Sequence, residues 1–250
     1  MCKLSLQLVW ASILVLFLAC PSLAQEEYVN GIDANFPPFA YVDENGDPSG
    51  FDVDAVDWIA DEMGFEVKHK PMDWDGIIPN LVAEKIDFIA SGMSITEKRK
   101  EKVNFSIPYW EIKQVALVRD DSELSMEEIL NTGKRIGVQR GTTTADMLEE
   151  RIPEEGWDIK VRSYDSAPMA VSDLVNGRID AAAMDDAPAA EAKRNKPVKV
   201  LGAFEGEVEK FGYAVRKEDE ELLQTLNEGL ERLMDDPYWD ELIDKYEPGQ

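Results

Sequence analysis

The feature that most constrains this 250-residue chain is an alternation between two hydrophobic periods. Short apolar runs suited to strands give way repeatedly to stretches with apolar residues at helical spacing. Tyr28 to Asp33 reads as a strand and runs into the loop Phe36-Pro37-Pro38-Phe39. Asp43-Glu44-Asn45-Gly46-Asp47 is a turn. Val53, Val56, Ile59, Ala60 and Met63 fall on one helical face, and Gly64 ends that helix. A strand over 66–70, a helix over 76–85 and a strand over 86–90 follow. The second half repeats the scheme: helix 125–131, strand 135–139, helix 143–151, strand 159–164, helix 167–176 and strand 179–183. A strand over 211–215 and acidic helices over 218–235 and 237–246 close the chain, with Pro237 suited to a first helical position. Strands joined by crossover helices pair in parallel, so the pattern predicts an α/β fold with helices on the faces of mostly parallel sheets.

The two halves also echo each other. Leu81-Val82-Ala83-Glu84-Lys85-Ile86-Asp87-Phe88-Ile89-Ala90 lines up with Leu174-Val175-Asn176-Gly177-Arg178-Ile179-Asp180-Ala181-Ala182-Ala183. Both are helix–turn–strand units carrying Ile-Asp before an apolar strand, which favours a duplicated topology.

Residues 8–20 read LVWASILVLFLAC, preceded by Lys3 and followed by Pro21 and Ser22-Leu23-Ala24. The run is too short to span a membrane and has the three regions of a secretory signal peptide, with cleavage after Ala24. Phe17-Leu18-Ala19 before Cys20 is a poor lipobox, so lipid anchoring is the lesser option. Cys2 and Cys20 both fall in the removed piece, leaving 25–250 without cysteine. That mature chain can form no disulfide, thiolate nucleophile or cysteine-ligated metal site. His69 is the only histidine and reads as a surface strand residue. No metal, cofactor or catalytic residue is expected. With 51 acidic against 26 basic residues the formal charge is −25, which disfavours nucleic acid and anionic membranes as partners.

Ligands of open α/β sheets bind beyond the carboxyl ends of the strands, so 33–39, 90–99, 139–144 and 184–188 are the segments to inspect. Ser91, Gly92 and Ser94 offer hydroxyls and close-approach backbone, and Arg99 can clamp a carboxylate. Read plainly, the same stretch is a strand–loop–helix joint with Thr96 as cap. Gln139-Arg140-Gly141-Thr142-Thr143-Thr144 opens a helix whose free N–H groups favour an anion. Asp185 and Asp186 follow an apolar strand; they either meet a cation or simply start a helix. Asp33, Asp52, Phe36 and Trp74 are ambiguous one by one. Taken jointly, Arg99 suits a carboxylate and Asp185 an ammonium, and an α-amino acid carries both.

Gly50-Phe51-Asp52-Val53-Asp54 resembles the signature of the family 3 bacterial extracellular solute-binding proteins. Lys70-Pro71-Met72-Asp73-Trp74-Asp75-Gly76-Ile77-Ile78-Pro79 is similar to a stretch of the glutamine-binding members. Ser91-Gly92-Met93-Ser94-Ile95-Thr96-Glu97-Lys98-Arg99, then Val103-Asn104-Phe105-Ser106 and Pro108-Tyr109, resembles the family's most recognisable block. Gly141-Thr142-Thr143, Gly177-Arg178-Ile179-Asp180 and Asp185 follow in order.

The resemblance implies a two-lobed periplasmic-binding-protein fold of type II. Lobe 1 would be 25–112 and 212–250, and lobe 2 would be 116–206, inserted through hinge segments near 111–117 and 204–213. It implies a monomeric periplasmic protein that closes on a free amino acid and delivers it to an ABC importer permease in the inner membrane. Arg99, with Ser94, Gly92 and Thr143, would bind the α-carboxylate. Asp185, with Ser91 or Gly92, would bind the ammonium. Phe36 and Trp74 would sandwich the side chain. Asp33 would lie at its far end with Asp52 nearby, and Gln139 and Thr142 would line the lobe 2 side. Glutamine binders carry Lys at the Gln139 position, whereas lysine/arginine/ornithine and histidine binders keep the acids matching Asp33 and Asp52. The side chain bound is therefore polar, either neutral or cationic, and Arg140 is the one extra base that an acidic side chain could use. Periplasmic dehydratases of the same fold, and a detached sensor for a membrane receptor, are the alternatives.

Overall fold

The computed structural model describes residues 25–206 and 208–246; the signal peptide expected over 1–24 lies outside them. Two five-stranded sheets form two α/β lobes. In the first, the strand order is Glu66–Pro71, Glu27–Ile32, Phe88–Ile89, Ala214–Arg216, Val103–Phe105. In the second it is Ile159–Tyr164, Lys134–Gln139, Ala181–Asp185, Gln114–Arg119, Val198–Ala203. Each sheet has three parallel strands, then one antiparallel strand in fourth place that the chain supplies next to its crossing between lobes. The two crossing segments pair as an antiparallel ribbon, Trp110–Ile112 with Glu209–Phe211.

The sequence echo has a structural basis. Asp87 accepts the Val29 N–H at 2.8 Å while its own N–H donates to the Val29 carbonyl, and Asp180 does the same with Arg135, also at 2.8 Å. Each carboxylate thus ties the start of its strand to the neighbouring strand. Ile86 and Ile179 pack so closely on Gly31 and Gly137 that a Cβ there would lie 2.4 and 2.5 Å from their Cδ1 atoms. Glu84 and Gly177, in equivalent turns, both adopt positive φ, 56° and 70°.

One helix packs an aromatic cluster on the first lobe. Helix Glu220–Asp235 buries Leu222, Leu226, Leu230 and Leu233, spaced to form one stripe, against a core that includes Phe39, Phe51, Phe88 and Tyr213. The second sheet is covered on both faces: Val171 and Leu174 pack with Leu117, while Ile129 and Leu148 pack with Val118. Among the described residues no helix is long and apolar enough to cross a membrane.

Several elements differ from the sequence reading. The helix expected over 76–85 is a 3₁₀ turn, Trp74–Gly76, then a short helix Ile77–Val82, because the chain leaves through the left-handed Glu84. The strand expected over 211–215 is two strands, Glu209–Phe211 and Ala214–Arg216, one in the crossing ribbon and one in the first sheet. His69, expected at the surface, has a side chain only 8% exposed, between Asn30 and Asp57.

Candidate ligand-binding cleft

Between the lobes lies a narrow, nearly filled cavity. All the expected binding residues line it except Asp52. The loops after the parallel strands carry them, as the carboxyl-end rule anticipates.

On the first lobe, strand Glu27–Ile32 delivers Asp33, whose N–H donates to Ser91 Oγ at 2.9 Å. Asn30 holds the partner loop with both ends of its amide: it accepts the Ala90 N–H at 2.8 Å and donates to the Ala90 carbonyl at 3.3 Å. The backbone N–H leaves Asn30 no choice of orientation, so Nδ2 faces His69 Nδ1 at 3.1 Å. His69 Nδ1 must then accept, and its Nε2–H points at Asp57 Oδ1, 3.0 Å away. Segment 91–95 is also tied to the second crossing strand, through the Ile95 N–H to the Lys210 carbonyl and the Gly212 N–H to the Met93 carbonyl.

Gly92 has φ of 57°, and a Cβ there would lie 2.5 Å from the Phe36 ring. Glycine lets that ring lie on the backbone. Asp52 stands behind this loop. It is fully buried and accepts the Gly92 N–H at 2.6 Å and the Tyr109 hydroxyl at 2.9 Å through Oδ2. Its Oδ1 has no partner among the described residues. Burial pushes its carboxyl up to about 7, against the lowering effect of Tyr109 and Gly92. The expected place for Asp52 near the far end of the ligand is therefore corrected. The first turn of helix Phe51–Met63 aims it at the back of the Gly92 loop, and it buttresses the wall.

Arg99 sits in the short helix Glu97–Lys100, capped by the Thr96 hydroxyl. Its Nη1 donates to the Ser94 carbonyl at 2.9 Å, and its guanidinium carbon lies 5.4 Å from the Trp74 ring centroid. Burial lowers its pKa, opposed by Glu209, Asp185 and Asp146.

On the second lobe, Gln139 ends strand Lys134–Gln139 and donates across the cleft to Asp33 Oδ2 at 2.7 Å. Asp33 Oδ1 accepts the Asn35 N–H. Its hydrogen-bond partners, the Asn35 N–H and the Gln139 amide, are neutral, and burial raises its pKa. Thr142 caps helix Thr143–Glu155, accepting the Ala145 N–H and donating to the Gln139 carbonyl. Thr143, first in that helix, has an N–H with no intrahelical acceptor. Asp185 ends strand Ala181–Asp185, is 8% exposed, and receives the Thr144 hydroxyl at 3.4 Å. Its carboxyl is pushed up to about 8, first by burial, then by Glu209 and Asp186, with Arg99 and Thr144 opposing. Arg140 lies outside the cavity lining, paired with Asp75 and Asp165.

Glu209 was not singled out by sequence. It lies in the crossing strand and accepts Gln114 Nε2 at 2.7 Å and the Thr143 hydroxyl at 2.8 Å. It thereby ties both crossings to the helix start and adds a third carboxylate near Arg99. No motif marks it; only the fold brings it there. Among the described residues no group of three or more His, Cys, Asp or Glu could hold a metal.

The cleft therefore offers one cation and two acids, flanked by two aromatic rings and a helix start, with Glu209 behind the helix start. Known proteins resemble the chain along its length. The ABC transporter arginine-binding protein 1 of Escherichia coli K12 is 32% identical over 250 residues, covering 97% of this chain and 99% of that protein. An ancestral arginine-binding protein bound to arginine superposes with a TM-score of 0.80 at 40% identity, covering 89% of this chain and 98% of the other. The ancestral amino acid-binding protein AncCDT-1, a precursor of cyclohexadienyl dehydratase, gives 0.81 at 36% identity, covering 88% and 95%. Residues 28–249 match the family model, and the chain belongs to the bacterial extracellular solute-binding proteins, family 3.

Proposed function

We propose that this protein captures a cationic amino acid in the periplasm by hinge closure and delivers it, as a monomer, to an ABC-type importer. Lobe 1 (25–112 and 212–250) and lobe 2 (116–206) rotate about the segments near 111–117 and 204–213. Arg99 and the free N–H of Thr143 take the α-carboxylate, a fit between a two-pronged guanidinium, a helix start and an anion. Ser94 and Gly92 line the same side. Asp185 takes the α-ammonium, with Ser91 beside it. Phe36 and Trp74 flank the ligand side chain, and Thr142 and Gln139 close the second-lobe side.

Asp33 carries the choice of ligand class. It is a buried carboxylate on the cavity wall whose hydrogen-bond partners are neutral amides. Such a group favours a cation at the far end of the ligand. Two acids against one arginine in the cleft lining add to that preference. The arginine-binding relatives support it. Closure follows from the division of groups: each lobe alone holds part of the zwitterion, so the ligand favours the state that joins them.

A thermal-shift screen of the twenty amino acids plus ornithine tests the reading, since a ligand of the folded state raises the melting temperature. Arginine, lysine or ornithine should give the largest shifts. Asp33→Asn should weaken the cationic ligands selectively. Arg99→Ala or Asp185→Ala should each cost roughly 2–5 kcal/mol of binding. Preference for glutamate would refute the ligand class. The AncCDT-1 relative and the proton-holding Asp185 favour one rival, a dehydratase in which that acid protonates a leaving group. Turnover of prephenate or arogenate by the purified protein would establish it in place of transport.

A further inference from the structure

Two donors of the first lobe end on a single acceptor of the second. Trp74 Nε1 donates to the Gly141 carbonyl at 3.0 Å, and Arg99 Nη2 donates to the same oxygen at 3.2 Å. A carbonyl has two lone pairs, so this oxygen is fully used. Trp74 is 8% exposed, which shields its bond from competing water. The approach requires a bare backbone. Gly141 has φ of 75°, and a Cβ there would lie 3.2 Å from Asp75 Cβ and 3.4 Å from Asp75 Cα. Two ion pairs also cross the cleft nearby, Lys98–Asp146 at 2.9 Å and Arg140–Asp75 at 3.4 Å. Both are solvent-exposed, and exposed pairs contribute little.

We propose that the Gly141 carbonyl is the latch of the closed cleft, and that the indole N–H of Trp74 is the principal group holding it. The inference rests on the amino acid-capturing reading above. It gives Trp74 two separable roles: its ring flanks the ligand, while its N–H grips the opposite lobe. A latch that does not touch the ligand cannot choose between ligands. It slows opening for all of them equally, so it acts on the dissociation rate and leaves the order of preference unchanged.

Trp74→Phe separates the roles, because phenylalanine keeps an aromatic face and removes the donor. The mature chain has no cysteine of its own, so Glu44→Cys and Lys193→Cys, both at exposed positions on different lobes, can carry a donor–acceptor dye pair. Stopped-flow mixing then reads closure and opening directly. Trp74→Phe should open about five- to tenfold faster than the parent, the effect of one lost hydrogen bond. Because the Trp74 ring also flanks the ligand, ligand ranking is read in Gly141→Ala, where it should be unchanged. Gly141→Ala should also open faster, because its φ of 75° strains an alanine and the added Cβ crowds Asp75. Lys98→Ala should stay within about twofold. Opening at the parental rate in both Trp74→Phe and Gly141→Ala would overturn the latch, as would a changed ligand ranking in Gly141→Ala at an unchanged opening rate. If the parent protein binds no amino acid, the broader reading fails separately. The latch is then read from the unliganded protein, where loss of the indole N–H should lower the closed population and an unchanged population would refute it.

Discussion

Binding an amino acid at neutral pH should release a proton from Asp185. In the closed, ligand-free cleft burial and the Glu209 carboxylate push this acid up to about 8. At pH 7 there are then about ten protonated carboxyls for each ionised one, or about 0.9 proton per molecule. In the proposed binding mode the α-ammonium of the ligand needs the ionised form, so binding should displace that proton. The sign follows: affinity rises with pH until the carboxyl is already ionised in the free protein. From pH 7 to pH 6 the dissociation constant should increase about ninefold. Calorimetry in two buffers of different ionisation enthalpy, phosphate and Tris, measures the proton number from the slope of the observed heats. The expected value at pH 7 is release of at least about 0.9 proton, since a cationic side chain meeting Asp33 can only add to it. A slope of zero with equal affinity at pH 6 and pH 7 would show that Asp185 does not face the ammonium.

Asp52 gives a stability prediction of its own. Its folded-state pKa, about 7, is raised by burial, so the folded protein holds this proton more tightly than the unfolded chain. Its contribution to stability is full below the unfolded value and is lost as pH rises towards 7. Asp52→Asn should flatten the fall in melting temperature between pH 5 and pH 8; an unchanged pH profile would refute the buttress as a titrating group. Glu84, exposed with φ of 56°, carries left-handed backbone strain that its structural equivalent Gly177 avoids. Glu84→Gly should therefore stabilise the protein by about 1 kcal/mol in urea unfolding.

Periodicity and local chemistry made much of this molecule legible. Strand 159–164 and helix 237–246 lie where their patterns put them, because each is amphipathic and bounded by turn residues. The Ile-Asp echo pointed to duplication, and both aspartates do the same work in their lobes. Strand Gln114–Arg119 escaped the reading because Val115 to Val118 are all buried, so the sheet leaves no alternation to find. Strand Trp110–Ile112 is three residues long and exists through its partner Glu209–Phe211, far away in sequence. The same limit applies to the cleft. The loops after the strands carry their signal locally, in Ser91 to Arg99 and in Gln139 to Thr143. Asn30, His69 and Glu209 act through residues they meet only after folding, and Asp52 faces a direction that its helix, not its motif, decides.

The insertion of one lobe in the other reverses the order in which the two are completed. The second sheet takes all its strands from 114–203, an unbroken stretch. The first sheet keeps a slot between Phe88–Ile89 and Val103–Phe105 that only Ala214–Arg216 can fill. It also waits for helix Glu220–Asp235 to cover the aromatic core around Phe51. A chain delivered from its N-terminus thus holds the materials of its first lobe with an open strand edge until almost its last residues arrive. Contacts so distant in sequence form slowly. The half of the protein that is written first is the half that is finished last, and a truncation near the end would strike the beginning.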